Sequence, residues 1–193
     1  MGWNGYNRAN PLTPCGYCND IGNFTGVKDL VIPECTATNG INTVTTHTFK
    51  VPRWRGFDNP FGDIWTNLDG IVIQRTVANE ISSVYTTTNK EEFTDVIGSK
   101  TIAGYEIAQE GYIKEFDLGE TAEIIPSSCI GASATTYICD YHWCSLSSTA
   151  LRTLLVGGGT HLSSNSGLDY FFSTNDVSYA LSNVGFRTLN RVS

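Results

Sequence analysis

A chain of 193 residues with only 16% charged side chains and a formal net charge of −7 is long enough to bury one core without staples. Its 12 Lys and Arg are few and scattered, which argues against nucleic acid or an anionic membrane surface as a partner, because such affinity comes from clustered cations displacing counterions. Polarity comes instead from Thr, Ser and Asn, with 19 glycines and 11% aromatics, a balance that favours short strands and turns over long helices.

Residues 1–30 are rich in Gly, Asn, Pro and Tyr without helical period and read as an irregular arm. Met1-Gly-Trp-Asn-Gly-Tyr-Asn-Arg8 has no basic segment followed by an apolar run, so no secretory leader is expected, and Tyr6 stands where a myristoylation signal needs Ser or Thr. No stretch approaches the roughly 20 apolar residues of a spanning helix, so no membrane insertion is expected. Thr36-Ala-Thr-Asn39-Gly40-Ile-Asn-Thr-Val44 places an Asn-Gly turn between β-prone flanks and predicts a hairpin, with alternation continuing to Val51.

Pro60 and Gly62 punctuate the next segment, and Ile64–Ile73 reads as strand, turn, strand, with Asp69 before Gly70 capping the turn. Residues 86–97 contain the one modest charge cluster, Lys90-Glu91-Glu92, and read as a short helical turn or a loop. Short strands are expected around Tyr105 and over Tyr112–Phe116, then a small-residue loop over Ser127–Ser133 and an aromatic, β-branched run over Thr135–Trp143. The C-terminal third predicts three strands, Leu151–Val156, Leu168–Ser173 and Val184–Leu189. Gly158 and Gly185 stand where strands meet tight turns and a positive φ or a close backbone approach is expected. Trp54, Trp65, Trp143 and Phe186 are large enough to organise the core.

Six cysteines, Cys15, Cys18, Cys35, Cys129, Cys139 and Cys144, are read as buried or incidental thiols. The Cys15/Cys18 pair lacks a second close pair for zinc, and it lacks the strand–helix context of a redox motif. His47, His142 and His161 have no metal-binding spacing, Gly157-Gly-Gly-Thr160 lacks the Lys of a phosphate loop, and no nucleophile elbow exists. No metal, cofactor or catalytic residue is expected.

Three blocks carry a resemblance. Arg55-Gly-Phe-Asp-Asn-Pro-Phe-Gly-Asp-Ile-Trp-Thr-Asn-Leu-Asp-Gly70 is similar to the Y-R-G-I-E-N-P-F-G-N-I-W-x-x-x-D-G block of structural proteins of gut phages, the crAss-like phages of Bacteroidales among them. Gly131-Ala-Ser-Ala-Thr-Thr-Tyr-Ile-Cys-Asp-Tyr-His-Trp143 resembles their G-S-S-x-T-Y-Y-x-D-Y-x-W block. Leu155-Val-Gly-Gly-Gly-Thr-His161 followed by Asn183-Val-Gly-Phe-Arg187 resembles the end of the formylglycine-generating-enzyme-like branch of the C-type-lectin fold, with Val156 in place of the Arg and His161 in place of the Trp of R-G-G-S-W.

The resemblance implies an α+β, β-rich, C-type-lectin-like domain over residues 53–193, with short strands, long loops and little helix, after an arm and hairpin over residues 1–52 used for docking or oligomerisation. The enzyme branch carries a reactive cysteine pair just before the closing strand, and no cysteine follows Cys144, so a non-enzymatic member is implied.

In the resembled fold the segment between Gly-Gly and Gly-Phe-Arg is the exposed ligand face. Here that face is Thr160–Ser182, with His161, Asn165, Asp169, Tyr170, Phe172, Asn175, Asp176 and Tyr179 as contacts, a Tyr- and Asn-rich set suited to sugars or adaptable protein recognition. By alternation one of Leu168, Phe171 and Phe172 points inward. The expected role is a bacteriophage virion protein, a head or tail fibre or decoration protein that binds a host-surface glycan or protein. It would be made in the host cytoplasm and released by lysis, contact other virion proteins through its arm, and form a homo-oligomer, a trimer first. The alternatives are a purely structural assembly or decoration subunit and a secreted bacterial ligand-binding relative.

Overall fold

The computed structural model describes residues 28–38, 41–51, 53–54, 57–58, 65–136, 138, 140–159, 162, 167, 169–180 and 184–185. Within them the protein is β-rich, and helix is confined to one 3-10 turn, Lys90–Glu92, capped by Asn89, whose side-chain oxygen accepts from the Glu91 N–H at 3.2 Å. No helix among the described residues is long and apolar enough to cross a membrane.

Strands β1 (Lys28–Thr38) and β2 (Ile41–Val51) pair antiparallel from Lys28↔Val51 to Thr38↔Ile41, as the hairpin reading expects; Asn39 and Gly40 themselves lie outside the described residues. β1 starts inside the stretch read as irregular, because Leu30, Val31 and Ile32 find partners in Phe49, Thr48 and His47. The short pair β3 (Arg53–Trp54) and β4 (Phe57–Asp58) follows.

Two larger sheets hold the rest. β6 (Ile71–Arg75), β7 (Ser82–Thr86), β8 (Thr101–Glu106) and β13 (Leu151–Arg152) form an antiparallel sheet in the order β13-β6-β7-β8. A mixed sheet contains β5 (Trp65–Asn67), β9 (Gly111–Tyr112), β12 (Tyr141–Cys144), β14 (Leu155–Val156), β15 (Phe171–Ser173) and β16 (Val184–Gly185), in the order β16-β5-β14-β15-β12-β9. β10 (Glu115–Leu118) and β11 (Ile124–Ser128) make a further hairpin, so the first residues of the expected 127–133 loop are strand.

The core lies where these units meet: Ile73, Val84, Ile113, Ile125, Leu154 and Phe171 are each at most 5% exposed. Full burial of such side chains contributes roughly 1.5–3 kcal/mol apiece.

Two expected strands change role. The turn at Asp69-Gly70 is present, and Gly70 needs its freedom: φ is +80°, and a Cβ there would lie 2.7 Å from the Phe93 ring. But β5 and β6 on either side do not pair with each other; β5 joins β14 and β16, whereas β6 joins β7 and β13. The turn is a corner between sheets, not a hairpin.

The run Leu151–Val156 divides in the same way. β13 lies in one sheet and β14 in the other, and at the crossing the Thr153 N–H donates to the Asn175 carbonyl at 3.1 Å. Gly157 and Gly158 have φ of 84° and 72°, as their turn demands, while Gly185 lies within strand β16 rather than in a turn. Of the expected strand 168–173 only Phe171–Ser173 forms, and of 184–189 the described part is Val184–Gly185. Phe186 and the remainder lie outside the described residues.

Candidate functional site

Strand β15 decides where the expected ligand residues stand. It lies between β14 and β12, so both its edges are paired. Phe171 is 4% exposed and Ser173 1%, and Tyr170 beside them is wholly buried. The expectation of Tyr170 as an exposed contact is therefore corrected; of the rest of the expected Thr160–Ser182 face, Asp176 and Ser178 are exposed and Asp169, Phe172, Asn175 and Tyr179 half-buried.

The eight expected contacts do not form one face. His161 and Asn165 lie outside the described residues. Tyr170 and Phe172 stack on each other with centroids 6.2 Å apart. Asp169 is half-buried on the wall of a cavity. Asn175 is half-buried, with its Nδ2 enclosed and without a partner among the described residues. Asp176 is exposed, and its carboxylate accepts from the backbone N–H and hydroxyl of Ser178, which with the nearby Arg152 cation hold it below the ordinary carboxylate range. Tyr179 closes that turn, its N–H donating to the Asp176 carbonyl at 2.9 Å.

Register sorts the mixed sheet into two faces. Tyr112 pairs with Tyr141, Trp143 with Phe172, Phe172 with Leu155, and Leu155 with Asn67, so these side chains share one face. The rings confirm it: Tyr112–Tyr141 centroids are 5.0 Å apart, Tyr141–Trp143 4.8 Å and Trp65–Phe172 4.6 Å. Toward β5 and β14 the face is closed, since Trp65 and Leu155 are buried. Toward β9 it opens, and Tyr112, Tyr141 and Trp143 are half-buried. The exposed Glu110 lies at this end; its carboxylate accepts from the Cys144 N–H at 3.3 Å. Burial, and then the Glu110 charge, raises the Tyr141 hydroxyl above its ordinary value, so it stays a neutral donor. Of the four aromatics expected to organise the core, Trp65 does so, Trp143 lies on this face, and the side chains of Trp54 and Phe186 lie outside the description.

The opposite face holds a buried polar network that sequence reasoning missed. Glu106, at the end of β8, receives the Ser173 hydroxyl and lies 3.0 Å from His142 Nε2. Arg75, at the end of β6, comes within 3.9 Å of Glu106 Oε2, and it donates through Nε to the Glu80 carbonyl at 2.5 Å and through Nη1 to the Ser145 carbonyl. His142 Nδ1 lies 2.6 Å from the Gln109 carbonyl.

A carbonyl only accepts, so it is Nδ1 that donates in this contact. Glu106, His142, Ser173 and Arg75 are each at most 3% exposed. The network ties β6 and β8 of one sheet to β12 and β15 of the other. Glu106 stands between Ser173 and His142, so the serine proton faces a carboxylate and not an imidazole. The neighbouring Cys144 and the more distant Cys129 are buried free thiols, and burial pushes both up to about 11. Cys139 and Cys15/Cys18 lie outside the described residues.

On that same face, beside the network, a cavity of about 380 Å³ lies between Leu68, Ile71, Phe116, Leu154, Val156 and Phe171. Asp169 is on its wall and Glu123 on another. The two carboxylates differ. Around Glu123, burial is outweighed by donors, the Thr121 hydroxyl and N–H and the Thr86 hydroxyl, so its carboxyl is lowered. Asp169 Oδ2 is enclosed and has no hydrogen-bond partner among the described residues, and burial pushes this carboxyl up to about 6.

Asp169 was named from the sequence as a candidate contact; Glu106, Arg75 and the cavity were not named, because the residues they come together with lie far away along the chain. Among the described residues no group of His, Cys, Asp and Glu is arranged to hold a metal ion. Compared with protein-family models, with curated proteins and with solved structures, the chain finds no match in any of the three.

Proposed function

We propose that this chain is a non-catalytic binding module of a bacteriophage virion, a fibre or decoration protein with a C-type-lectin-like domain that attaches to a host-surface glycan. The observation that carries the reading is the open end of the aromatic face: Tyr112, Tyr141 and Trp143 in a row beside the Glu110 carboxylate. Sugar rings present apolar C–H faces and hydroxyl edges, which aromatic rings and a carboxylate complement. The three sequence blocks and the helix-poor architecture support the phage and fold assignments. The reading moves the binding residues from the 160–182 segment to β9 and β12, keeping only Phe172 of the earlier set on that face.

A fibre multiplies a weak monovalent site, and a trimer joined to other virion proteins through residues 1–52 is part of the proposal. Exposed apolar side chains at Leu118 (75%), Ile124 (49%) and Ile130 (74%) favour assembly contacts as a second use of the surface.

The test is a bacterial surface-glycan array probed with labelled protein, alongside Trp143→Ala and Tyr141→Ala. Binding to at least one glycan, lost in both variants at unchanged melting temperature, is expected. Absence of glycan binding, or variants that bind like wild type, overturns the reading.

A further inference from the structure

The cavity on the other side of the sheet is a second site. From its lining we infer that it binds a small organic cation, a protonated amine on a short apolar body, with the ammonium group on Asp169. This goes beyond the glycan reading and does not depend on it, because Phe171 and Val156, which line the cavity, face away from Trp143 and Phe172.

Three observations carry the inference. The cavity is of a size that encloses one small molecule, and its wall is made of Leu, Ile, Val and Phe side chains. That wall takes an aliphatic or aromatic body.

The charged residues on the wall are both acidic, Asp169 and Glu123, with no Lys or Arg among its described lining residues. That sign rejects anions. Finally, Glu123 is already supplied with donors, whereas Asp169 Oδ2 is enclosed with no partner among the described residues, as is the hydroxyl of Tyr170, another lining residue, so an acceptor in the cavity is left for a ligand's N–H to satisfy. A buried carboxylate without a donor is costly, and a charge-assisted N–H···O bond removes that cost. A quaternary ammonium has no N–H to give, so a primary or secondary amine is the preferred class.

The Asp169 backbone is fixed independently of its side chain. Its N–H donates to Asp140 Oδ2 at 2.7 Å, and Asp140 is wholly buried. The backbone at Asp169 is therefore held by the fold, and Asp169→Asn removes the charge without releasing the segment.

The experiment titrates full-length protein at pH 8 with hexylamine, 1-hexanol and hexanoate, three probes of like body and different head, by calorimetry. Wild type is expected to bind hexylamine at least tenfold more tightly than hexanol and to bind hexanoate least. Asp169→Asn is expected to reduce hexylamine to the level of hexanol. Intermolecular NOEs in wild type from the hexyl chain to methyls of Leu68, Leu154 and Val156 place the probe, and they keep the test open should the variant fail to fold. Equal affinities for amine and alcohol, retention of the preference in Asp169→Asn, NOEs to other methyls, or no binding of hexylamine at millimolar concentration each overturn the inference.

Discussion

Asp169 offers a stability test that needs no ligand. Its carboxyl has an ordinary value of 3.8 and burial moves it to about 6 in the folded protein. The folded state therefore holds the proton more tightly than the unfolded chain. Stability is highest below the ordinary value, falls as pH rises from about 4 to about 6, and has lost its full amount above that window. The raised value corresponds to roughly 3 kcal/mol at pH 8.

Asp169→Asn removes the charge and its pH dependence together. Enclosing the amide costs about 1 kcal/mol, so the variant is expected to be more stable than wild type by about 2 kcal/mol at pH 8. At pH 4 that advantage should vanish. Urea unfolding at both pH values, read as midpoint shifts at constant slope, measures the difference. A variant less stable than wild type at pH 8, or a difference that is the same at both values, would refute the reasoning. A position that costs stability when empty is what a binding site looks like from the side of folding.

Other positions give simpler outcomes. Glu106→Ala leaves Arg75 and His142 buried without the carboxylate they share, and it should cost roughly 3–5 kcal/mol in chemical unfolding. Gly70→Ala combines a φ of +80° with a Cβ at 2.7 Å from Phe93, so a loss of about 1–2 kcal/mol or more is expected, only part of which a Phe93→Ala partner change recovers. Cys129 and Cys144 should resist alkylation at pH 8 in the native state and label after unfolding, with the sites read by mass spectrometry. On a responsive glycan, Trp143→Ala should weaken binding by roughly 30-fold, the effect of losing a central aromatic anchor worth about 2 kcal/mol.

The sequence by itself determined what depends on neighbours along the chain. Asn39-Gly40 between β-prone flanks led to the pairing of β1 and β2, Asp69-Gly70 to a turn, and Lys90-Glu91-Glu92, read as a helical turn or a loop, to a 3-10 turn, because such features depend on neighbours along the chain. The abundance of Thr, Gly and aromatics likewise foretold a protein of short strands.

Sheet membership was settled only in three dimensions. Alternation tells which side chains share a face of a strand, but not which strand lies alongside, so β5 and β6 were read only as strand, turn, strand, and β13 and β14 as one strand. Tyr170 was likewise read as exposed: its residue type suits a binding surface, and nothing local announces that the fold buries it. Glu106 and His142 lie 36 residues apart and become a pair only when β8 is brought against β12. Asp169 keeps its candidacy, but its setting is tertiary. A carboxylate followed by three aromatics in the sequence comes to lie on the wall of an apolar cavity, with Oδ2 enclosed and without a donor among the described residues, because residues far apart along the chain are brought together around it.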